Sequence, residues 1–420
     1  QLIENALAFG TDARAAYFRI REARAVRART SASTGPSGNI AASSTVRDTD
    51  QLSGVALTGE GRTTSSDLSL QSSWEVDLFG RLENTRAAGR LEFAAASFDY
   101  HGARLALAAD VADALFEARG IAVQLEDAQV ARTVAADLAR AGALGREHGL
   151  VSGADSARLD SDVRSAEADV VQLETALRVA KRSLLILIGT PNADIDSLVI
   201  LARLDLPPPL PAVAPATLLQ RRPDVRAAEY RLAAAMRSIK VDRAALFPQF
   251  ILRPGAGLSD SSGILGGSSM FWSIGAGLTV PLLDRTRLIA ELRVTEAQAG
   301  KAVVAYEKAV QTAFGEADNA LTRAAADGVL VDRLGAAAER AGFAFRASQI
   351  GYRKGLTDLT TTLQTERAWI STRGAFSRQK AQALGNVVAV FRALGGGWTP
   401  GAPATAPGQP DVPLAEVAAR

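Results

Sequence analysis

His101 and His148 are the only two imidazoles of a 420-residue chain, and neither stands at a metal-ligand or catalytic-triad spacing. Cysteine is absent, which removes disulfides, thiol nucleophiles and sulfur-ligated metals together. Two glycine-rich pieces, PGAGL (254–258) and GAGL (275–278), lie in strand-like stretches and open no helix, so neither reads as a phosphate loop. These residues specify no catalyst, no metal site and no bound cofactor. What stands out instead is ionic. Arg14, Arg19, Arg21, Arg24, Arg27 and Arg29 precede one alternating stretch, and Arg226, Arg231, Arg237, Lys240 and Arg243 precede another. Arg81, Arg86 and Arg90 follow a third such stretch, as Arg285, Arg287 and Arg293 follow a fourth. Cations suit helix C-termini, so the first two sets need no special cause; at helix N-termini the dipole opposes them. Arg81, Arg86, Arg285 and Arg287 therefore point to lipid phosphates, or else to carboxylates such as Glu83, Glu92 and Glu291.

The balance of 47 basic and 45 acidic residues argues against a nucleic-acid partner, which needs a concentrated cationic surface. Aromatic residues make up 5% while hydrophobic ones make up 47%, so alanine carries the apolar fraction and closely packed helices are expected. No run approaches a membrane-spanning helix, LLILIG (184–189) being far too short. Gln1 falls inside a helix-like pattern, as a processed or trimmed start would.

Residues 81–147 and 287–350 read as two nearly uninterrupted helices, each about 100 Å long at roughly 1.5 Å per residue. Each ends in a glycine turn, GREHGLVSG (145–153) and GYRKGLTDL (351–359), and a shorter helix returns. Gly149-Leu150 and Gly355-Leu356 share an offset of 206 residues with Ile188-Gly189 and Leu394-Gly395. Asp12, Arg14, Ala15, Ala16, Arg19 and Ala23 recur as Asp224, Arg226, Ala227, Ala228, Arg231 and Ala235. A twofold repeat is expected: 1–205, 206–398, then a Pro/Ala-rich tail over 399–420. Along the first return helix Leu159, Val163, Ala166, Val170, Leu173, Leu177, Ala180, Leu184 and Leu187 make a coiled-coil seam. The second seam, through Leu363, Ile370, Ala381, Leu384, Val388 and Phe391, is interrupted at Arg367, Gly374 and Ser377. Helical hairpins over 81–188 and 287–394 follow.

Between the helical blocks the period becomes two. Leu68, Leu70, Trp74, Val76 and Leu78 oppose Ser69, Gln71, Ser73, Glu75 and Asp77; Trp272, Ile274, Ala276, Leu278 and Val280 oppose Ser273, Gly275, Gly277 and Thr279. Strand pairs over about 36–78 and 248–282 result, with loops at about 49–64 and 260–269. Ten to twelve alternating residues match a transmembrane β-strand, and Leu68, Leu70, Trp74, Trp272, Ile274 and Leu278 would face lipid. Four strands cannot close a barrel, so a membrane location requires oligomers: two copies give eight strands, three give twelve and a lumen. The same pattern also fits a half-buried sheet in a soluble coiled-coil scaffold or adaptor without a pore.

The stretches LLQRRPDVRAAEYRLAAA (218–235), SWEVDLFGRL (73–82), RAALFPQF (243–250), GLTVPLLD (277–284) and LGGGW (394–398) fall in one order. In that order the chain resembles the TolC-like outer-membrane efflux channels, OprM/NodT branch, over about residues 1–398. The resemblance implies an α+β membrane protein that assembles as a homotrimer. Its twelve-stranded transmembrane β-barrel would sit in the outer membrane of a Gram-negative bacterium, continued by a twelve-helix periplasmic α-barrel. Residues 189–217 and the C-terminal segment would form a belt around it. It implies a passive exit duct fed by an inner-membrane pump, of resistance-nodulation-division type, through a periplasmic adaptor. Gly149, Leu150, Val151, Ser152, Gly355, Leu356 and Thr357 become adaptor contacts, and Asp155, Arg353 and Asp358 become periplasmic gate residues held by pairs between chains. Two departures stand out. No N-terminal cysteine is present to carry a lipid, and Thr361 and Gln364 occupy positions where relatives often have acids.

Overall fold

The computed structural model describes residues 1–49, 61–205, 221–262 and 266–396. Helix α1 (Leu2–Phe9) and helix α2 (Thr11–Ser33) lead into strands β1 (Ser37–Thr49) and β2 (Gly61–Val76). Helix α3 (Arg81–Glu147) and the antiparallel helix α4 (Gly153–Leu187) follow, then a 3₁₀ turn at Ile195–Ser197. The order then recurs as α5 (Pro223–Ala244), β3 (Gln249–Ser262), β4 (Gly267–Thr279), α6 (Arg285–Arg353) and α7 (Leu359–Ala393). Both long helices were expected; α6 gains two residues at its start and three at its end, so Arg353 is its last residue. Strands β2 and β4 stop before Leu78 and Val280, which leave the faces assigned to them. The segment between β3 and β4 is shorter than expected because Ser261 and Ser262 stay in the ladder. Residues 206–217 of the expected belt and the whole of the expected 399–420 tail lie outside the described residues. Among the described residues no helix is long and apolar enough to cross a membrane.

The chain divides into two compact units. One, residues 20–97 and 227–308, holds the sheet, ordered β1-β2-β3-β4 and antiparallel throughout. Residues paired across strands share a face. Ile40 opposes Leu70, which opposes Ala256, which opposes Trp272; Ala42, Leu68, Leu258 and Met270 form the next row. Pro254 has no amide proton, and the β2–β3 pairing is interrupted beside it between Gln71 and Trp74. On the opposite side of β2, toward β1, the Ser72 hydroxyl donates to the Ser37 carbonyl at 2.8 Å.

The other unit contains residues 1–19, 98–226 and those from 309 onward, and it is helical. Leu184 and Leu185 of α4 pack on Leu107 and Val111 of α3 and on Ala6 and Ala13. Leu138, Leu159 and Leu363 make a second cluster, and Ala317, Ala320, Val390 and Ala393 a third. The α4 seam falls where its period placed it, with Leu159, Val170 and Leu184 fully buried. The α7 seam does so only in part, at Leu363 and Leu384. Ile370 and Phe391 are exposed, and the buried set is Thr362, Leu363, Glu366, Ser377, Leu384, Val387 and Val390. Polar side chains occupy core positions there, so a search for apolar period alone misplaced the seam between Leu363 and Leu384 and at its end.

Candidate functional site

The sheet is the first part of the site. Its rows put Leu68, Leu70 and Trp74 of β2 on one face with Trp272, Ile274 and Leu278 of β4, and all six are exposed in the single chain. The opposite face carries Ser69, Ser73, Gln71, Gly255, Ser273, Gly277 and Thr279. Phe271 is an exception the alternation missed. It sits on this polar face above Gly257, where a Cβ would lie 2.6 Å from its ring, so the glycine makes the room. Among the described residues, strands β1 and β4 each leave an edge unpaired.

The arginines after β2 and β4 have identifiable partners. Arg81 grips Glu75 through two nitrogens at 3.0 and 2.5 Å, and this hydrogen bonding raises its pKa against the opposing effect of burial. Arg86 donates to the Thr34 hydroxyl at 2.7 Å and lies 3.7 Å from Glu83, while Arg90 pairs with Glu83 at 2.8 Å. Arg287 pairs with Glu291 at 2.6 Å and with Asp284 at 3.5 Å. Carboxylates thus offset the helix dipole at three of the four expected headgroup positions, whereas Arg285 has no ion pair among the described residues.

The two hairpin turns are the second part. Leu150 N–H donates to the Gly145 carbonyl and Gly149 N–H to the Arg146 carbonyl; Leu356 and Gly355 do the same with Gly351 and Tyr352. This paired pattern terminates a helix on a left-handed residue, and Gly149 (φ 72°) and Gly355 (φ 73°) occupy that position without a side-chain penalty. Ser152 then caps α4. Its hydroxyl accepts from the Asp155 N–H at 3.0 Å and donates to the Asp155 carboxylate at 2.7 Å. Asp358 caps α7 by accepting from the Thr361 N–H at 2.6 Å, and these hydrogen bonds hold its carboxyl below the ordinary value. Leu150 and Leu356 project at 82% and 80% exposure. Leu150, Val151, Arg353 and Asp358 line one groove of about 550 Å³, together with Asp137 and Tyr352. The structure therefore brings the two turns together. It does not pair the expected gate charges within the chain: Asp155 is bonded to the Ser152 cap, Asp358 is itself a cap, and Arg353 pairs with neither.

A buried cation that the sequence reading passed over organises the start of α5. Arg222, only 7% exposed, donates to Asp224 at 2.7 Å, to Glu316 of α6 at 2.7 Å and to the Ala393 carbonyl at the end of α7 at 3.2 Å. The signal lay in the motif RRPDV, whose arginine precedes the helix by one residue. His101 packs edge-on to Tyr100 at 5.6 Å, and burial, with Arg104 adding to it, depresses its pKa. Among the described residues no three His, Cys, Asp or Glu side chains converge as a metal site.

A sheet with one apolar face and open edges, joined to long helical hairpins, is the make-up of an outer-membrane channel subunit. The model of the outer membrane efflux protein family matches residues 2–190 and 214–396, and the chain belongs to that family. It is 31% identical over 360 residues to the pyoverdine export outer membrane protein OpmQ of Pseudomonas putida, covering 84% of this chain and 75% of that one. Against the cation efflux system protein CusC of Escherichia coli the identity is 28%, over 94% of this chain and 85% of that one. The solved outer-membrane channel OprN superposes with a TM-score of 0.84 at 30% identity, covering 95% of this chain and 90% of that one. The chain is the outer-membrane channel of a tripartite efflux system, and the alternative of a soluble scaffold without a pore is set aside.

Proposed function

We propose that three copies of this chain close a twelve-stranded barrel in the outer membrane, and that their helical hairpins continue it as a twelve-helix periplasmic duct. The observation that carries this is the sheet itself: an apolar face across four strands, with both edges open. In lipid each unpaired backbone group at those edges would cost on the order of several kcal/mol, and joining β1 of one copy to β4 of the next removes the cost. The twofold recurrence of helix, two strands, long helix and 35-residue helix supports six-fold pseudo-symmetry in such a trimer. Leu68, Leu70, Trp74, Trp272, Ile274 and Leu278 contact lipid, and the serines and glycines of the other face line the lumen. Asp67, Glu75 and Arg253 share that face with them, so the lumen wall is polar and carries charges of both signs. Relatives named for pyoverdine and for cations accord with a duct whose cargo is chosen elsewhere.

Gly149, Leu150, Val151, Ser152, Gly355, Leu356 and Thr357 meet the periplasmic adaptor, which connects to an inner-membrane pump of the resistance-nodulation-division type. Nothing lies within 4 Å of where a Cβ on Gly149 or Gly355 would sit, so a partner's backbone can approach there. Arg353 pairs with an acidic group of a neighbouring copy to narrow the periplasmic end, Asp155 or Asp358 being the partner. Arg285, alone of the four membrane-side arginines in having no ion pair among the described residues, takes a lipid phosphate.

Two measurements test the assembly. The folded protein in a bilayer mimetic should have the mass of a trimer. Single cysteines at Leu70, Trp74, Ile274 and Leu278 should resist aqueous thiol reagents while those at Ser69, Ser73, Ser273 and Thr279 react, a clean comparison because the chain has no native cysteine. A folded monomer in the mimetic, or uniform labelling along both strands, would overturn the proposal.

A further inference from the structure

Between α3, α4 and α7 lies a groove of about 460 Å³ where ionic contacts gather. Arg367 of α7 pairs with Asp162 of α4 at 2.7 Å. One helical turn and a half further on, Arg373 donates to Asp127 of α3 at 2.5 Å, and the Ser377 hydroxyl donates to the same carboxylate at 2.7 Å. Glu366 stands in the middle of this set. Its side chain lines the groove, is 5% exposed, and makes no hydrogen bond or ion pair among the described residues. A buried, unpartnered carboxylate is among the costliest groups to keep charged. The one indole lining the groove, Trp369, already has partners within the chain. Phe345 stacks on Trp369 at 5.2 Å and Arg373 lies over it at 5.5 Å.

We propose that Glu366 is a proton-controlled latch: with a proton on its carboxyl the N-terminal half of α7 lies tight against α4, and without it that seam loosens. The surroundings give the sign. Burial, reinforced by the nearby negative charge of Asp162, pushes the Glu366 carboxyl up to about 7, with Arg367 pulling the other way. The other charged groups lining the groove are Asp127 of α3, Asp169 of α4, and Arg373 and Arg378 of α7. Helix α6 meets this stretch through Phe345 on Trp369, through the Ser348 hydroxyl 2.6 Å from that of Thr365, and through Arg346, whose guanidinium lies with the Trp369 ring beside Gly342 and stays charged throughout this pH range. The α6–α7 seam therefore has no titrating partner here, whereas the α4–α7 seam does. For an acid whose docked pKa is raised, the docked state is favoured below the ordinary carboxylate value. That advantage drains away as pH rises toward the docked value and is gone above it. The latch is thus tight in mild acid and loose from neutral pH upward.

This latch rests on the helical packing of one chain and not on the trimeric duct, so it can fail while the duct stands. Hydrogen exchange of the full-length protein in detergent, expressed as protection factors so that the intrinsic pH effect is removed, reads it directly. Amides of residues 360–373 should lose protection by more than about tenfold between pH 5 and pH 8, while those around Leu184 stay level. Glu366→Gln, which keeps the shape and cannot ionise, should hold the pH 5 level at both values. Equal wild-type protection at the two pH values would overturn the proposal, and that arm needs no variant to fold. An unchanged pH dependence in Glu366→Gln would also overturn it, assigning the effect to another group.

Discussion

The two return helices, α4 and α7, have the same length of 35 residues and stop in the same way, yet they are held by different chemistry. Helix α4 buries Leu159, Val170, Leu184 and Leu185 with one polar side chain, Ser156, and its cap is the uncharged Ser152. Helix α7 buries Thr362, Glu366 and Ser377 among its apolar residues, and its cap is the charged Asp358. The contrast extends to where each helix ends. A Cβ on Gly10 would lie 3.0 Å from the Leu187 carbonyl at the end of α4, so bare backbone packs there. At the equivalent place beside α7, the guanidinium of Arg222 donates to the Ala393 carbonyl. One backbone plan has thus been filled mostly with hydrophobic contacts in α4 and with a larger polar share in α7. Hydrophobic contacts hold nearly independently of pH and salt, whereas polar ones respond to both. The second hairpin is accordingly the one built to respond to conditions.

The largest separation between the two should come from the core. Leu184→Ala should cost roughly 3–4 kcal/mol of unfolding free energy, and Val390→Ala, its equivalent in α7, about 2. Denaturant titration of the detergent-solubilised protein checks both, and equal losses would erase the contrast. Next comes the clamp. Arg222→Ala should cost about 2 kcal/mol, less than a fully buried pair because Asp224 and Glu316 are about half exposed. Arg222→Lys should recover only part of it, since an ammonium cannot reach Asp224 through two nitrogens and also serve Glu316 and Ala393. Full recovery by lysine would mean that charge alone matters.

The smallest effect lies in the caps. Ser152→Ala should cost about 1 kcal/mol at any pH. Asp358→Ala should destabilise in the same direction, but conditionally. The carboxyl of Asp358 is held below its ordinary value, so its contribution is present above that value and lost as pH falls through the lowered one. Wild type and Asp358→Ala should therefore converge in strong acid, while wild type and Ser152→Ala stay apart. Thermal midpoints measured over a pH series distinguish these outcomes; a constant gap for Asp358→Ala would remove charge from the explanation of that cap.

Everything governed by neighbours close in sequence was already written in the residues. The alternation around Trp74 and Ile274, the seam from Leu159 to Leu187 and the glycine stops at 149 and 355 each depend on a local period or on the backbone freedom of one residue. What only the tertiary structure decided involves residues far apart in the chain. Arg222 meets Glu316 and Ala393 across 94 and 171 positions, and Arg373 meets Asp127 across 246. Such contacts leave no periodic trace, because a polar side chain at a core position looks like an interruption until its partner is in place. Ser377 read as a break in the α7 seam, and Glu366 as nothing at all. Burial by the other helices turned one into a hydrogen-bond donor and the other into a carboxyl that holds its proton near neutrality.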